Sequence, residues 1–301
     1  MPGCNWLEDT DMNINFNPCV SFKSALGTAR TLLVWLALSP LLASAGVVAV
    51  TSSTTSTSTT STSTTTTSTT TTTTQAPIAT NINLVKGWNL VGNSVEAPIT
   101  VATSFNNATQ AITLWKWVTS GSTAGISYPA WAFYTPAQTD GGKVYAATKG
   151  YDFLTTINAG EGFWVNAKTD FSTPLPAGAA VQASSFMPAL ATPPTAGGAH
   201  ALSKGWNLIA MGGQPSPAQL DAALATTAST LPASGQVATN LTTLWAWDAG
   251  QTLWYFWAPN LVNNGGLAAY LASKGYLDFA ALPGTPMGTL SPTTGVWVNL
   301  P

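Results

Sequence analysis

The sequence predicts an α+β protein: two tandem copies of a small β-α-β-β-α-β module with a mostly antiparallel sheet, following a signal peptide and a disordered Thr/Ser-rich stalk. Three observations lead there. Five sequence blocks in the first half of the folded part return in the same order in the second half, the mark of a duplicated unit. The aromatic blocks alternate with the period of a strand. Segments between them carry helix start and stop signals.

The chain has 301 residues, 45% of them hydrophobic and only 7% charged, with a formal net charge of -2. That length accommodates a pair of domains, each with its own core. A charge so close to zero leaves no basic surface to displace counterions from a phosphate backbone, so nucleic acid is excluded as a partner. The single His excludes most His-based metal sites and His-dependent nucleophilic catalysis.

Residues 1–45 read as an N-terminal segment and signal peptide. An apolar run over residues 31–42 follows Lys23 and Arg30 and precedes Ala43-Ser44-Ala45, a small-x-small cleavage site. Met12 is a second candidate start, and both Cys4 and Cys19 lie upstream of the cleavage point. The alternative is an uncleaved N-terminal membrane anchor over residues 31–50, about the 20 residues that a span requires but interrupted by Pro40. Both readings place the remainder outside the cytoplasm, extracellular or on the cell surface. Residues 46–80 form the stalk. Thr and Ser fill residues 51–74, offering no apolar surface to offset the entropy of ordering, so a solvated spacer with sites for O-linked sugar is expected.

The first module spans residues 81–168 and the second 202–301. Lys86-Gly87-Trp88-Asn89-Leu90-Val91 returns as Lys204-Gly205-Trp206-Asn207-Leu208-Ile209, and Thr113-Leu114-Trp115-Lys116-Trp117 as Thr243-Leu244-Trp245-Ala246-Trp247. The aromatic run 131–136 returns at 254–259, Lys149-Gly150-Tyr151 at Lys274-Gly275-Tyr276, and Gly162-Phe163-Trp164-Val165-Asn166 as Gly295-Val296-Trp297-Val298-Asn299. Gly-Trp-Asn-Leu opens each copy as a strand. A helix over residues 217–226 follows in the second copy, with Ser216 as N-cap and Pro217 in the first turn. Its counterpart in the first copy is weakened by β-branched Ile99, Thr100, Val101 and Thr103. Two aromatic strands come next, joined by the compact turn 248–251 in the second copy and by the longer loop 119–130 in the first. A helix over residues 266–274 stops at Gly275, and Val296-Trp297-Val298 closes the copy. The Pro- and Ala-rich linker 169–201 holds His200, read as a solvated residue, and residues 181–190 are a candidate strand tying the copies together.

The frames Gly87-Trp88-Asn89-Leu90-Val91-Gly92-Asn93-Ser94 and Gly160-Glu161-Gly162-Phe163-Trp164-Val165-Asn166-Ala167 resemble a Trp-rich module found at the C-terminal end of secreted or surface-exposed bacterial proteins, often behind repeat domains. The resemblance covers residues 81–301. It implies an extracellular accessory module, with no established activity and no catalytic residue to carry over. The second copy departs from it at Met211-Gly212-Gly213 and over residues 291–294.

Among the carboxylates only Asp152 and Asp278 recur. Glycoside hydrolysis needs a pair in one cleft, so each copy supplies one acid too few, and both read as turn or capping residues. The sequence carries no Asp-x-Asp-x-Asp-Gly loop, so no metal and no cofactor are expected. The tryptophans carry the functional signal. Trp115 and Trp117 share a strand face opposite Leu114 and Lys116, and Trp245 and Trp247 repeat this opposite Leu244 and Ala246. With Lys116 and Asp248 on the opposite side, the Trp face is expected to point into the core. In the next strand Tyr134, with Tyr255 and Trp257 in the second copy, are the candidate ligand-binding residues, a flat aromatic platform for stacking on sugar rings. The expectation is a non-catalytic extracellular binding or adhesion protein that contacts polysaccharide or another surface polymer. The alternatives are a structural or assembly protein of the bacterial cell surface with protein partners at the cell envelope and, more remotely, a glycoside hydrolase.

Overall fold

A computed structural model describes residues 79–188, 200–225, 232–284 and 286–301. The signal peptide, the anchor alternative and the Thr/Ser tract lie outside the described residues. In chain order the first part comprises β1 (Asn81–Leu84), β2 (Gly87–Gly92), β3 (Ile99–Thr100), α1 (Val101–Ser104), β4 (Ala111–Val118), β5 (Ala130–Tyr134), α2 (Lys143–Lys149), β6 (Asp152–Phe153), β7 (Thr156–Ile157), β8 (Gly162–Ala167) and β9 (Phe171–Pro174). The second part comprises β10 (Phe186–Pro188), β11 (His200–Leu202), β12 (Gly205–Ile209), α3 (Pro217–Ala223), β13 (Thr243–Asp248), β14 (Leu253–Trp257), α4 (Pro259–Asn263), α5 (Leu267–Lys274), β15 (Leu277–Asp278) and β16 (Val296–Leu300). Helices and mainly antiparallel sheets make this an α+β fold.

Two five-stranded sheets share one connectivity, β2-β8-β4-β5-β6 and β12-β16-β13-β14-β15. The outermost pair is parallel in each, β5 with β6 and β14 with β15, and every other pair is antiparallel. The registers correspond as well: Trp115 pairs with Phe133 and with Trp164 in the first sheet, Trp245 with Phe256 and with Trp297 in the second.

Local chemistry explains the helices. Ser216 accepts from Gln219 N–H while Gln219 returns a bond to Ser216 N–H, a capping box that starts α3 beside Pro217 at the first turn. Gly150 and Gly275 end α2 and α5 in the left-handed conformation, with φ of 73° and 70°. α1 is held to four residues, and Ile99 and Thr100 before it form a strand instead, as β-branching favours. The short α4 has its signal in Pro259 at the first turn.

The described parts of the linker, residues 169–188 and 200–201, carry more order than a linker requires. Phe171–Pro174 pairs antiparallel with β1, and Phe186–Pro188 pairs parallel with His200–Leu202. His200, expected to be solvated, is half-buried. Its ring lies 5.4 Å from that of Phe186, and its Nε2 is 3.1 Å from Glu96 Oε1.

Both faces of each hairpin are covered, which corrects the reason given for turning the Trp face inward. The face of Leu114, Ala132 and Tyr134 joins a core with Ile82, Phe105 and Phe163, and that of Leu244, Ala246 and Tyr255 joins Leu220, Phe279 and Val298. Lys116, taken to mark the solvent side, is only 7% exposed, because Glu161 and the Thr156 carbonyl receive its ammonium. The Trp face is packed too: Trp115 lies under Tyr151 at 5.1 Å, and Trp245 under Tyr276 at the same distance.

Candidate functional site

The aromatic platform expected from the sequence does not form. Tyr134, Tyr255 and Trp257 are 5%, 3% and 6% exposed. Strand pairing sets Tyr134 opposite Leu114, Tyr255 opposite Ala246 and Trp257 opposite Leu244, so all three lie on the faces that build the apolar cores. Tyr255 donates its hydroxyl to Asp248 at 3.1 Å, and burial together with that carboxylate pushes its pKa up to about 12.

The recurrent blocks have structural tasks. Asn89 folds back on the turn before its strand, accepting from Val85 N–H and donating to the Val85 and Gly87 carbonyls. Asn207 repeats this with Ser203 and Gly205. Trp115 and Trp245 each donate the indole N–H to the Thr two positions earlier, at 3.2 Å in both cases.

Other tryptophans join the two sheets by a reciprocal seam. Trp117 Nε1 donates to the Trp206 carbonyl at 3.1 Å, and Trp247 Nε1 donates to the Trp88 carbonyl at 2.8 Å. Trp297 packs edge-on against Trp117 and Trp131, while Trp164 packs against Trp247 and Trp254. The backbones exchange bonds in the same reciprocal way: Gly92 N–H donates to the Thr293 carbonyl and Ala210 N–H to the Gly160 carbonyl, both at 2.9 Å. Gly92 and Ala210 occupy corresponding positions and meet at the seam, where a methyl on Gly92 would overlap the Ala210 Cβ.

The recurrent acids are occupied locally. Asp152 accepts from Tyr128 at 2.6 Å, Thr123 at 3.1 Å and Phe153 N–H at 2.8 Å. Asp278 caps the turn that follows it by accepting from Ala280 N–H. Among the described residues no group of three or more His, Cys, Asp or Glu side chains is placed to hold a metal ion, and no helix is long and apolar enough to cross a membrane.

A half-open cleft of about 310 Å³ lies on the seam, between the end of β4, the turn before β8, the β10–β11 pair and β12. Its wall includes Trp117, Ser120, Asn158, Glu161, Phe186 and His200. Two polar pairs border it, the ion pair of Lys116 with Glu161 at 2.8 Å and the contact of His200 Nε2 with Glu96 Oε1 at 3.1 Å. Glu161 Oε2 also accepts from Asn158 N–H. This constellation has no counterpart in the second sheet: Ala246 stands at the position matching Lys116, and Thr294 at that matching Glu161. These residues do not recur between the two halves of the sequence; the sequence signal for them is a lone lysine between two tryptophans.

Comparison with protein-family models, with curated proteins and with solved structures finds no match to this chain.

Proposed function

We propose that this chain is a non-catalytic extracellular binding or adhesion protein. In this reading a tandem duplication supplies two modules, locked by their seam into one body and carried on an exported Thr/Ser stalk, that attach to polysaccharide or another surface polymer. The observation that carries the reading is how the repeated chemistry is used. The recurrent Asn, Trp and Gly residues close turns, cap helices and join the sheets, and the recurrent acids Asp152 and Asp278 are engaged by neighbouring groups. The cleft on the seam, whose Lys116 and Glu161 have no counterparts in the second sheet, is available for recognition. Both acids at it are engaged, Glu161 by Lys116 at 2.8 Å and Glu96 by His200 at 3.1 Å, which favours holding a ligand over cleaving one.

The test is retention of the full chain on a panel of insoluble polysaccharides, with the supernatant assayed for new reducing ends. Retention on at least one polymer without product is expected. Absence of retention on every polymer, or release of product, overturns the reading.

A further inference from the structure

We infer that the seam cleft is the ligand site and that it takes a short neutral saccharide, held between Trp117, Asn158 and Glu161. The inference rests on the binding function proposed above and assigns that function to a place and a chemistry.

The cleft gathers charge in a chain that has little of it. Only 7% of residues are charged, yet Lys116, Glu161, His200 and Glu96 all stand at or beside this opening. Lys116, the lysine at the site, is cancelled by Glu161, so the opening offers an anion no free lysine, and a neutral ligand fits best. The remaining valences suit hydroxyl groups. Among the described residues Glu161 Oε1 and the second ring nitrogen of His200 take no partner, and neither the Asn158 carboxamide nor the Ser120 hydroxyl is engaged by another side chain. Acceptors and donors therefore line the opening together, as a ring bearing hydroxyls requires.

Trp117 supplies the apolar part. Its N–H is already bound to Trp206, so the indole offers a ligand only its ring, the surface on which the C–H face of a sugar packs. The seam fixes that ring from three sides, through Trp131, Trp297 and the Trp206 carbonyl, which lowers the ordering cost of binding. A volume of about 310 Å³ lies at the small end of ligand pockets, matching a short saccharide or the end of a longer chain. The cleft also lacks a counterpart in the second sheet, because Ala246 and Thr294 cannot reproduce the carboxylate and its lysine. One site per chain follows.

The experiment uses the full chain and two variants whose changes lie on exposed positions of the cleft wall, Asn158→Ala and Ala201→Trp. The first removes a hydrogen-bonding group and the second places an indole across the opening. Neutral oligosaccharides in solution and the matching insoluble polymers are offered separately, to distinguish a free sugar from a chain end. Circular dichroism and thermal unfolding check that the variants fold as the parent does. Binding by the parent, a loss of roughly tenfold in Asn158→Ala and abolition in Ala201→Trp, with one site per chain, are expected. If the parent binds and both folded variants bind equally well, the cleft is not the site, although the binding function stands. If the parent binds nothing neutral, the inference and the function beneath it fall together.

Discussion

Thr293 and Gly160 hold the same backbone conformation at corresponding points of the seam, φ 75° and 76°, and each carbonyl accepts the N–H of a residue from the other sheet. Glycine adopts that left-handed conformation without penalty, whereas a β-branched residue is strained there. Thr293 is tolerated because the bonds around it fix the turn: its carbonyl receives Gly92 N–H at 2.9 Å, and Gly295 N–H donates to Leu90 at 3.2 Å.

Thr293→Gly is therefore expected to stabilise the protein. Relief of strain of about 1–3 kcal/mol exceeds the added flexibility of glycine in the unfolded chain, about 0.5–1 kcal/mol. Chemical denaturation reads this as a higher midpoint with an unchanged slope. A lower midpoint would show that the threonine side chain contributes more than its backbone costs.

The reciprocal indole bonds make a matched pair of predictions. Trp117→Phe and Trp247→Phe each leave a seam carbonyl without its donor, at Trp206 and Trp88 respectively. Each substitution should cost about 1–3 kcal/mol, and the two losses should be similar. Denaturation curves of the two variants check this. A large loss in one with none in the other would mean that the seam is not reciprocal in energy.

The sheets fill corresponding core positions differently. In the first sheet Lys116 pairs with Ala132; in the second the small residue is Ala246 and the large one Tyr255. Lys116→Ala alone empties the space and strands Glu161, and Ala132→Phe alone overpacks it. Together they approximate the second sheet, so the double variant should lose less stability than the sum of the singles, with a coupling of about 0.5–3 kcal/mol. Additive losses would indicate that the two positions do not share one space.

Strand parity was legible in the sequence: period-two alternation puts Trp115 and Trp117 on one face and Leu114 and Lys116 on the other, and the observed pairing of Trp115 with Phe133 and of Leu114 with Tyr134 keeps that parity. Which face met solvent was not. A lysine ordinarily marks an exposed side, and here it marks a buried ion pair whose partner lies 45 residues away, beyond the reach of local pattern. Tyr134, Tyr255 and Trp257 were misread for the same reason, since a hairpin covered on both faces presents no outward side. The caps of α3 and α5 are local and were readable from Ser216 and Gly275. The order of Phe171–Pro174 and of His200 rests on pairing with distant Asn81–Leu84 and with Glu96, which composition does not encode.

Asp221 gives a pH-dependent prediction. It is 0% exposed, Oδ1 accepts from Asn240 and Leu241 N–H, and Oδ2 has no partner. Burial raises its pKa above the ordinary carboxylate value, although the two backbone donors oppose the shift. The folded state therefore holds the proton more tightly than the unfolded chain. This contribution to stability is complete below the unfolded pKa and is lost as pH rises through the folded one. Asp221→Asn keeps an acceptor for the two backbone donors and removes the titration. Relative to the parent it should be more stable at neutral pH, with the difference shrinking as pH falls through the raised folded pKa and gone below the unfolded value of about 4. A difference that grows on acidification would reverse the sign assigned to Asp221.

The proposed function is recognition of a glycan without altering it. It is tested most directly by titrating neutral oligosaccharides into the full chain while following tryptophan fluorescence and reducing ends in the same sample. The account predicts a saturable fluorescence change at one site per chain, with reducing ends constant throughout. Fluorescence that stays flat against every sugar, or reducing ends that rise with time, would contradict it.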